Sequence, residues 1–148
     1  IILTSNLGSQ YLLDGIGPDG EITADARECV QGELRRAFRP EFLNRLDEIV
    51  RFRPLGAGEM DTIARKLLSG FAQRLAATGV DFLPSDQAIR LLAQKGLDPR
   101  YGARPLRRLI RNQVENPAAE LLLREDIAPG ETLYLEEKGG QLVLSPLS

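Results

Sequence analysis

The chain has 148 residues, 43% of them hydrophobic and 27% charged, the balance of a globular chain with room for one ordinary domain or parts of two small ones. Its formal net charge of -2 supplies no global field toward nucleic acid or anionic membrane, and no apolar run approaches the roughly 20 residues needed to cross a bilayer. With no histidine and one cysteine, a His-based triad, a zinc site and an internal disulfide are all excluded, and the single thiol fits a reducing, cytoplasmic setting. No charged n-region or signal-like cleavage site is visible. The basic side is lopsided, with 16 arginines against three lysines. Arginine presents a planar fork suited to phosphate or carboxylate, although a GC-rich genome would raise the same count.

Ile1-Ile2-Leu3-Thr4 is apolar and β-branched and predicts a buried strand, ended by Ser5-Asn6-Leu7-Gly8. Asp14 to Gly20, with three glycines and a proline, predicts a loop. Thr23 is placed to cap a helix over about residues 24–37, whose apolar face would take Ala26, Cys29, Val30, Leu34 and Ala37. On that pattern Cys29 is a small core residue. Pro40 starts a short helix, and Asp47 to Phe52 predicts a strand stopped by Arg53-Pro54.

Gly56-Ala57-Gly58 predicts a hinge, followed by a long helix with Met60, Ile63, Ala64, Leu67, Leu68, Phe71 and Leu75 on one stripe and Gly79 beyond its end. Val80 to Leu83 is a short strand. Ser85 caps a helix that Gly96 closes. After Asp98-Pro99-Arg100-Tyr101-Gly102, a helix carries Leu106, Leu109, Ile110 and Val114 inward, with Arg104, Arg107, Arg108 and Arg111 largely off that face. Asn116-Pro117 restarts a helix through Leu123, and two apolar runs around Gly139-Gly140 spell a terminal hairpin. The natural division falls near residues 54–58. It separates residues 1–54, two strands and a helix unable to close a sheet alone, from residues 55–148, a helix–strand–helix–helix–hairpin unit of α+β character.

There is no G-x-x-x-x-G-K-[ST] and no glycine loop entering a helix, so no phosphate cradle is present. Asp47 and Glu48, neighbours in a predicted strand, face opposite ways and make a poor acid/base pair. The chemistry therefore rests on arginine. Taken singly, Arg45 could be an ion-pair partner of Asp47 or Glu48, and Asn6 an ordinary strand-end amide. Arg104, at a helix start, is badly placed for the macrodipole unless an anion approaches.

Three segments carry a resemblance. Phe38-Arg39-Pro40-Glu41-Phe42-Leu43-Asn44-Arg45-Leu46-Asp47-Glu48-Ile49-Val50 resembles the arginine-finger segment in the second ATPase module of Clp-family AAA+ proteins. Tyr101-Gly102-Ala103-Arg104-Pro105-Leu106-Arg107-Arg108 resembles the family's sensor-2 motif, and Leu3-Thr4-Ser5-Asn6-Leu7-Gly8 its sensor-1 strand end. All three stand in the family's order, and the similarity runs nearly the whole chain.

The resemblance implies an α/β large-domain fragment over residues 1–54 and a small C-terminal domain over 55–148. It implies Asn6 as sensor 1 near the γ-phosphate, Arg104 as sensor 2 acting in cis on bound nucleotide, and Arg45 as a finger reaching in trans into a neighbour's site. Ile63 would help wall the adenine, although core packing explains it equally. The cofactor implied is ATP with Mg²⁺ in a longer protein, with none held tightly by these residues alone. The partners implied are further copies in a ring, a hexamer in the family, unfolded or aggregated protein substrates and a co-chaperone. Neither nucleic acid nor membrane is among them.

Peptidase-coupled members carry a hydrophobic Ile/Leu/Val-Gly-Phe/Leu tripeptide after sensor 1. Here Ile16-Gly17-Pro18 occupies that loop, closer to the ClpB-type disaggregase pattern. Residues 32–38 also resemble ClpC members, so a ClpC- or ClpA-type unfoldase feeding a peptidase stays open. A different class, a nucleic-acid-binding module using the Arg104–Arg111 helix, is suggested by four arginines in eight residues. The net acidity and lack of interleaved aromatics oppose it.

Overall fold

A computed structural model describes residues 1–17, 21–98 and 101–147. They form two compact units, Ile1–Pro54 and Leu55–Ser148.

The first unit holds three helices, α1 (Ser9–Asp14), α2 (Ala24–Ala37) and α3 (Pro40–Leu43). The Ala26 N–H donates to the Thr23 hydroxyl at 3.3 Å, so Thr23 caps α2 as its position predicts. An isolated bridge between Ile16 and Ile22 closes the glycine-rich loop, of which residues 18–20 lie outside the described residues. Among the described residues of this unit only Ala26 and Val30 are buried. Cys29 is exposed, which corrects the core reading of that residue. It adjoins Val30 but stands about 100° from it around the helix, outside the narrow stripe that is covered.

The two strands predicted for this unit are also corrected. Residues 1–6 and 47–54 contain no strand, and Ile2 and Phe52 are 92% and 83% exposed. A strand exists only through hydrogen bonds to a neighbouring edge, and neither segment has one here. Among the described residues the regular elements of this unit are all helical, so the α/β expectation for residues 1–54 is not realised in it.

The second unit is built on α4 (Ala57–Ala76), β1 (Asp81–Pro84), α5 (Asp86–Lys95), α6 (Arg104–Ile110), a π-helical turn (Arg111–Glu115), α7 (Asn116–Leu123), β2 (Thr132–Lys138) and β3 (Gln141–Leu147). Ala57 and Gly58 lie in the first turn of α4, and the Gly56 N–H donates to the Glu59 carboxylate at 3.1 Å. The glycines expected to hinge are thus committed to a helix start. Ser85 caps α5, its hydroxyl accepting from the Ala88 N–H at 3.2 Å.

The sheet runs in the order β1-β2-β3. β2 and β3 pair antiparallel around Gly139 and Gly140, both at positive φ (59° and 78°), which suits the tight right-twisted turn of a two-residue hairpin. β1 joins β2 in parallel, so the short strand and the hairpin make one mixed sheet.

One core fills the space between helices and sheet, with Met60, Leu68, Val80, Leu92, Leu106, Val114, Leu133 and Leu135 its largest fully buried side chains. Phe71 meets Phe82 edge to face, with ring centroids 4.9 Å apart. Arg65 bridges Asp61 of α4 and Asp86 of α5, each at 2.9 Å. The Asp61 hydrogen bond, with that of Asp86 next, raises the Arg65 pKa above its ordinary value. Asp86 also suits the first turn of α5, where the helix dipole favours an anion.

Candidate functional site

Two features of the backbone present Arg104. Gly102 adopts φ 61°, the left-handed conformation that glycine reaches without a Cβ penalty, and its N–H donates to the Asp98 carbonyl at 2.9 Å. That turn directs the chain into α6, with Ala103 as N-cap and Pro105 in the first turn, where its missing N–H is not needed. Leu106 and Ile110 then anchor the helix in the core.

α6 does not end where Asn116-Pro117 was expected to restart a helix. It runs through the π turn into α7. Two causes meet there. Pro117 offers no N–H to the carbonyl four residues back, and a wider turn removes the need for that bond. The buried residues Leu106, Ile110, Val114 and Ala118 also recur every four positions. In an α-helix each such step overshoots a full turn by about 40°. The wider turn takes the drift back and keeps Val114 and Ala118 on the core side. Glu115, in that turn, pairs with Arg74 of α4, whose guanidinium also lies 5.9 Å from the Phe71 ring centroid.

Arg104, Arg107, Arg108 and Arg111 follow the spacing i, i+3, i+4, i+7, one face of a helix. All four are exposed, and with Ala103 they line an open cavity of about 520 Å³. Among the described residues none of the four guanidiniums has an ion pair or side-chain hydrogen bond. Arg65 and Arg74, in the same unit, are both paired. Arg107, Arg108 and Arg111 read from sequence as positions off the core; their spacing was the signal that they share a face, and their lack of partners emerges only in three dimensions.

Ile63 is half-buried and packs against the core that contains Leu106, which supports its packing role. The other two candidates lie in the first unit. Asn6 is exposed, its carbonyl accepting from the Ser9 N–H at 3.2 Å just before α1. Arg45 follows α3, where its N–H donates to the Phe42 carbonyl at 3.0 Å, and Phe42 stacks on Phe38 at 5.0 Å between ring centroids. That aromatic brace fixes the turn and leaves the Arg45 side chain in solvent. Among the described residues Arg45 pairs with neither Asp47 nor Glu48. No hydrogen bond joins Asn6 and Arg45. No group of three or more His, Cys, Asp or Glu among the described residues is arranged to hold a metal ion.

Residues 55–135 match the family model of the C-terminal, D2-small domain of ClpB protein. The chain belongs to the ClpB family. It is 42% identical over 144 residues to Chaperone protein ClpB of Bacillus cereus (strain ATCC 10987 / NRS 248), an alignment covering 97% of this chain and 17% of that protein. To Chaperone protein ClpB of Nitratidesulfovibrio vulgaris it is 45% identical over 136 residues, covering 92% of the chain and 16% of the relative. The Chaperone protein ClpB of Staphylococcus aureus (strain COL) is 41% identical over 133 residues, covering 90% and 15%. The chain thus spans about one sixth of the length of these relatives. Within the family, this is a ClpB-type C-terminal segment that includes the small domain. Among the described residues no helix is long and apolar enough to cross a membrane.

Proposed function

We propose that these residues are the C-terminal portion of an ATP-driven protein-disaggregating chaperone, and that they supply nucleotide sensing and subunit coupling rather than the grip on ATP. The observation that carries this reading is Arg104: an unpaired guanidinium opening a helix inside the segment that matches the ClpB small domain. A cation there is opposed by the helix dipole and by three arginines on the same face, a cost that an approaching phosphate would offset. ATP, with Mg²⁺ supplying charge neutralisation at its phosphates, would be held mainly by chain outside these 148 residues, with Arg104 reaching the phosphates from the small domain.

On the same reading Arg45 offsets charge on the phosphoryl group in a neighbouring copy, a contribution of about 10³–10⁵ in rate for arginine fingers generally. Asn6 orients the attacking water. The exposed apolar residues of segments 1–3 and 50–52 would become sheet strands once paired with the rest of a large domain. Such a protein works as a ring, a hexamer in this family, on unfolded or aggregated polypeptides. The ClpB names of its relatives favour the disaggregase over a peptidase-coupled unfoldase.

The test is a chimera in which these 148 residues replace the matching segment of the Bacillus cereus relative. Arg45→Ala and Arg104→Ala should each lower ATP turnover more than about tenfold, the loss expected when a charge-assisted contact to the transferring group is removed. Mixing then separates the two roles. Subunits that cannot hydrolyse ATP but keep Arg45 should restore turnover to Arg45→Ala subunits and leave Arg104→Ala subunits inactive. Equal rescue of both, or of neither, contradicts the assignment of trans and cis roles.

A further inference from the structure

The face that begins at Arg104 extends well past the one residue that a nucleotide sensor needs. We infer that Arg104, Arg107, Arg108 and Arg111 together form a binding site for a linear phosphate chain of three or more linked phosphates. Residues 55–148 contain 12 Lys or Arg and 12 Asp or Glu, so the unit is neutral and the positive face is a local segregation of charge. No acidic residue occurs between Arg104 and Val114, and the first one beyond, Glu115, is engaged by Arg74. Stacking four like charges on one helix face destabilises the helix, and the dipole opposes the first of them. Among the described residues no carboxylate pairs with any of the four to offset that repulsion.

The geometry selects the shape of the anion. Arg104 to Arg111 spans seven residues, about 10 Å along the helix. A single phosphate presents oxygens over a few ångströms and engages one fork or two neighbouring ones. Reaching all four requires linked phosphates lying along the axis. Arginine rather than lysine is the suited residue, because each guanidinium can donate two parallel bonds to adjacent phosphate oxygens. The cavity is lined by Ala103 and the four arginines, with no aromatic ring to stack a base. Single-stranded nucleic acid binding relies on such platforms, so the phosphate chain itself is the favoured ligand.

For Arg104 the site rests on the nucleotide-sensing reading; Arg107, Arg108 and Arg111 extend it, and their tripolyphosphate affinity can fail while ATP turnover holds, or the reverse. The experiment is titration of the 148-residue chain with inorganic tripolyphosphate, ATP and orthophosphate at physiological ionic strength. Calorimetry gives the affinity, and the arginine Nε–H resonances show which side chains respond. Tripolyphosphate should bind about tenfold or more tightly than orthophosphate, the gain expected from one additional charge-assisted contact. Arg107→Ala/Arg108→Ala and Arg111→Ala should each remove most of that advantage. Arg107→Lys/Arg108→Lys, which keeps the charge and loses the fork, should lose part of it. Arg90→Ala, which removes the same single charge as Arg111→Ala from an exposed position of α5, should leave it intact.

Binding of ATP through the same four resonances would identify a nucleotide's phosphates as a source of the chain; response to tripolyphosphate alone would identify a free polyphosphate. Both support the site. Equal affinity for orthophosphate and tripolyphosphate would overturn the requirement for a chain, and equal weakening by Arg90→Ala would overturn the site in favour of unspecific charge attraction. So would a single-stranded oligonucleotide that binds through these arginines while tripolyphosphate does not.

Discussion

Glu125 shows what a single backbone angle does in this fold. It follows α7 at φ 59°, and the Asp126 N–H returns to the Leu121 carbonyl at 3.0 Å while the Glu125 N–H reaches Leu122 at 3.2 Å. This is the paired-bond ending that helices make through a left-handed residue, a position usually held by glycine. A side chain there costs about 1–2 kcal/mol, and glycine would return part of that through greater freedom in the unfolded chain. Glu125→Gly should therefore raise stability by about 0.5–1 kcal/mol, read as a higher urea midpoint at unchanged slope. Gly102 is the reverse case, already glycine at φ 61° immediately before Ala103-Arg104. Gly102→Ala should cost about 1–2 kcal/mol. It should also broaden the amide resonances of Ala103, Arg104 and residues 106–108, because the same turn aims Arg104. The need for glycine at position 102 is legible in the motif. The strain at Glu125 is not, since glutamate is an ordinary helix former and only the surrounding hydrogen bonds hold it at positive φ.

Between elements, the contact that seats the arginine helix is the meeting of α5 and α6 at Gly96. From sequence, Gly96 is a residue that closes α5, and it does so with ordinary right-handed backbone (φ -89°, ψ -3°) that alanine could adopt. Glycine is required there by proximity. A Cβ at position 96 would lie 2.6 Å from the Cβ and 2.7 Å from the Cα of Leu106, both too close without backbone movement. Gly96→Ala should thus destabilise by about 1–3 kcal/mol through overpacking, measurable by urea unfolding, although its helix propensity argues the other way. The Arg74–Glu115 clamp on the π turn is an exposed pair (side chains 64% and 30% accessible), so Arg74→Ala should cost under about 1 kcal/mol, pair and ring contact together. A larger loss in the same assay would mean that the clamp holds the π turn itself. The sequence does contain the causes of that turn, Pro117 and a four-residue apolar spacing. Choosing a continuous helix over a break required the core that Val114 and Ala118 fill.

At the scale of the chain, burial is unevenly shared. Among the described residues, seventeen buried hydrophobics form the core of the second unit, whereas the first contributes Ala26 and Val30. Buried apolar area is the main term opposing conformational entropy, so stability should concentrate where it does. Hydrogen exchange should find the amides of α4 and β2 protected to the global unfolding limit and those of α2 exchanging through local opening. Protection of α2 equal to that of α4 would contradict this.

Local chemistry and periodicity determined most of what the sequence by itself could: the caps at Thr23 and Ser85, the stripe of α4, the Gly139-Gly140 hairpin, the arginines of one helix face, and the motifs that mark the family. These depend on neighbours a few positions apart, and such neighbours are visible in a string. Tertiary structure alone decided the rest. It set β1 beside β2 in parallel and put Cys29 in solvent, and among the described residues it left segments 1–6 and 47–54 without strand partners and four guanidiniums without carboxylates. Each of these outcomes turns on whether a residue distant in sequence is present at hydrogen-bonding or packing distance. Periodicity reports that a face exists; what covers it is fixed only when the chain folds.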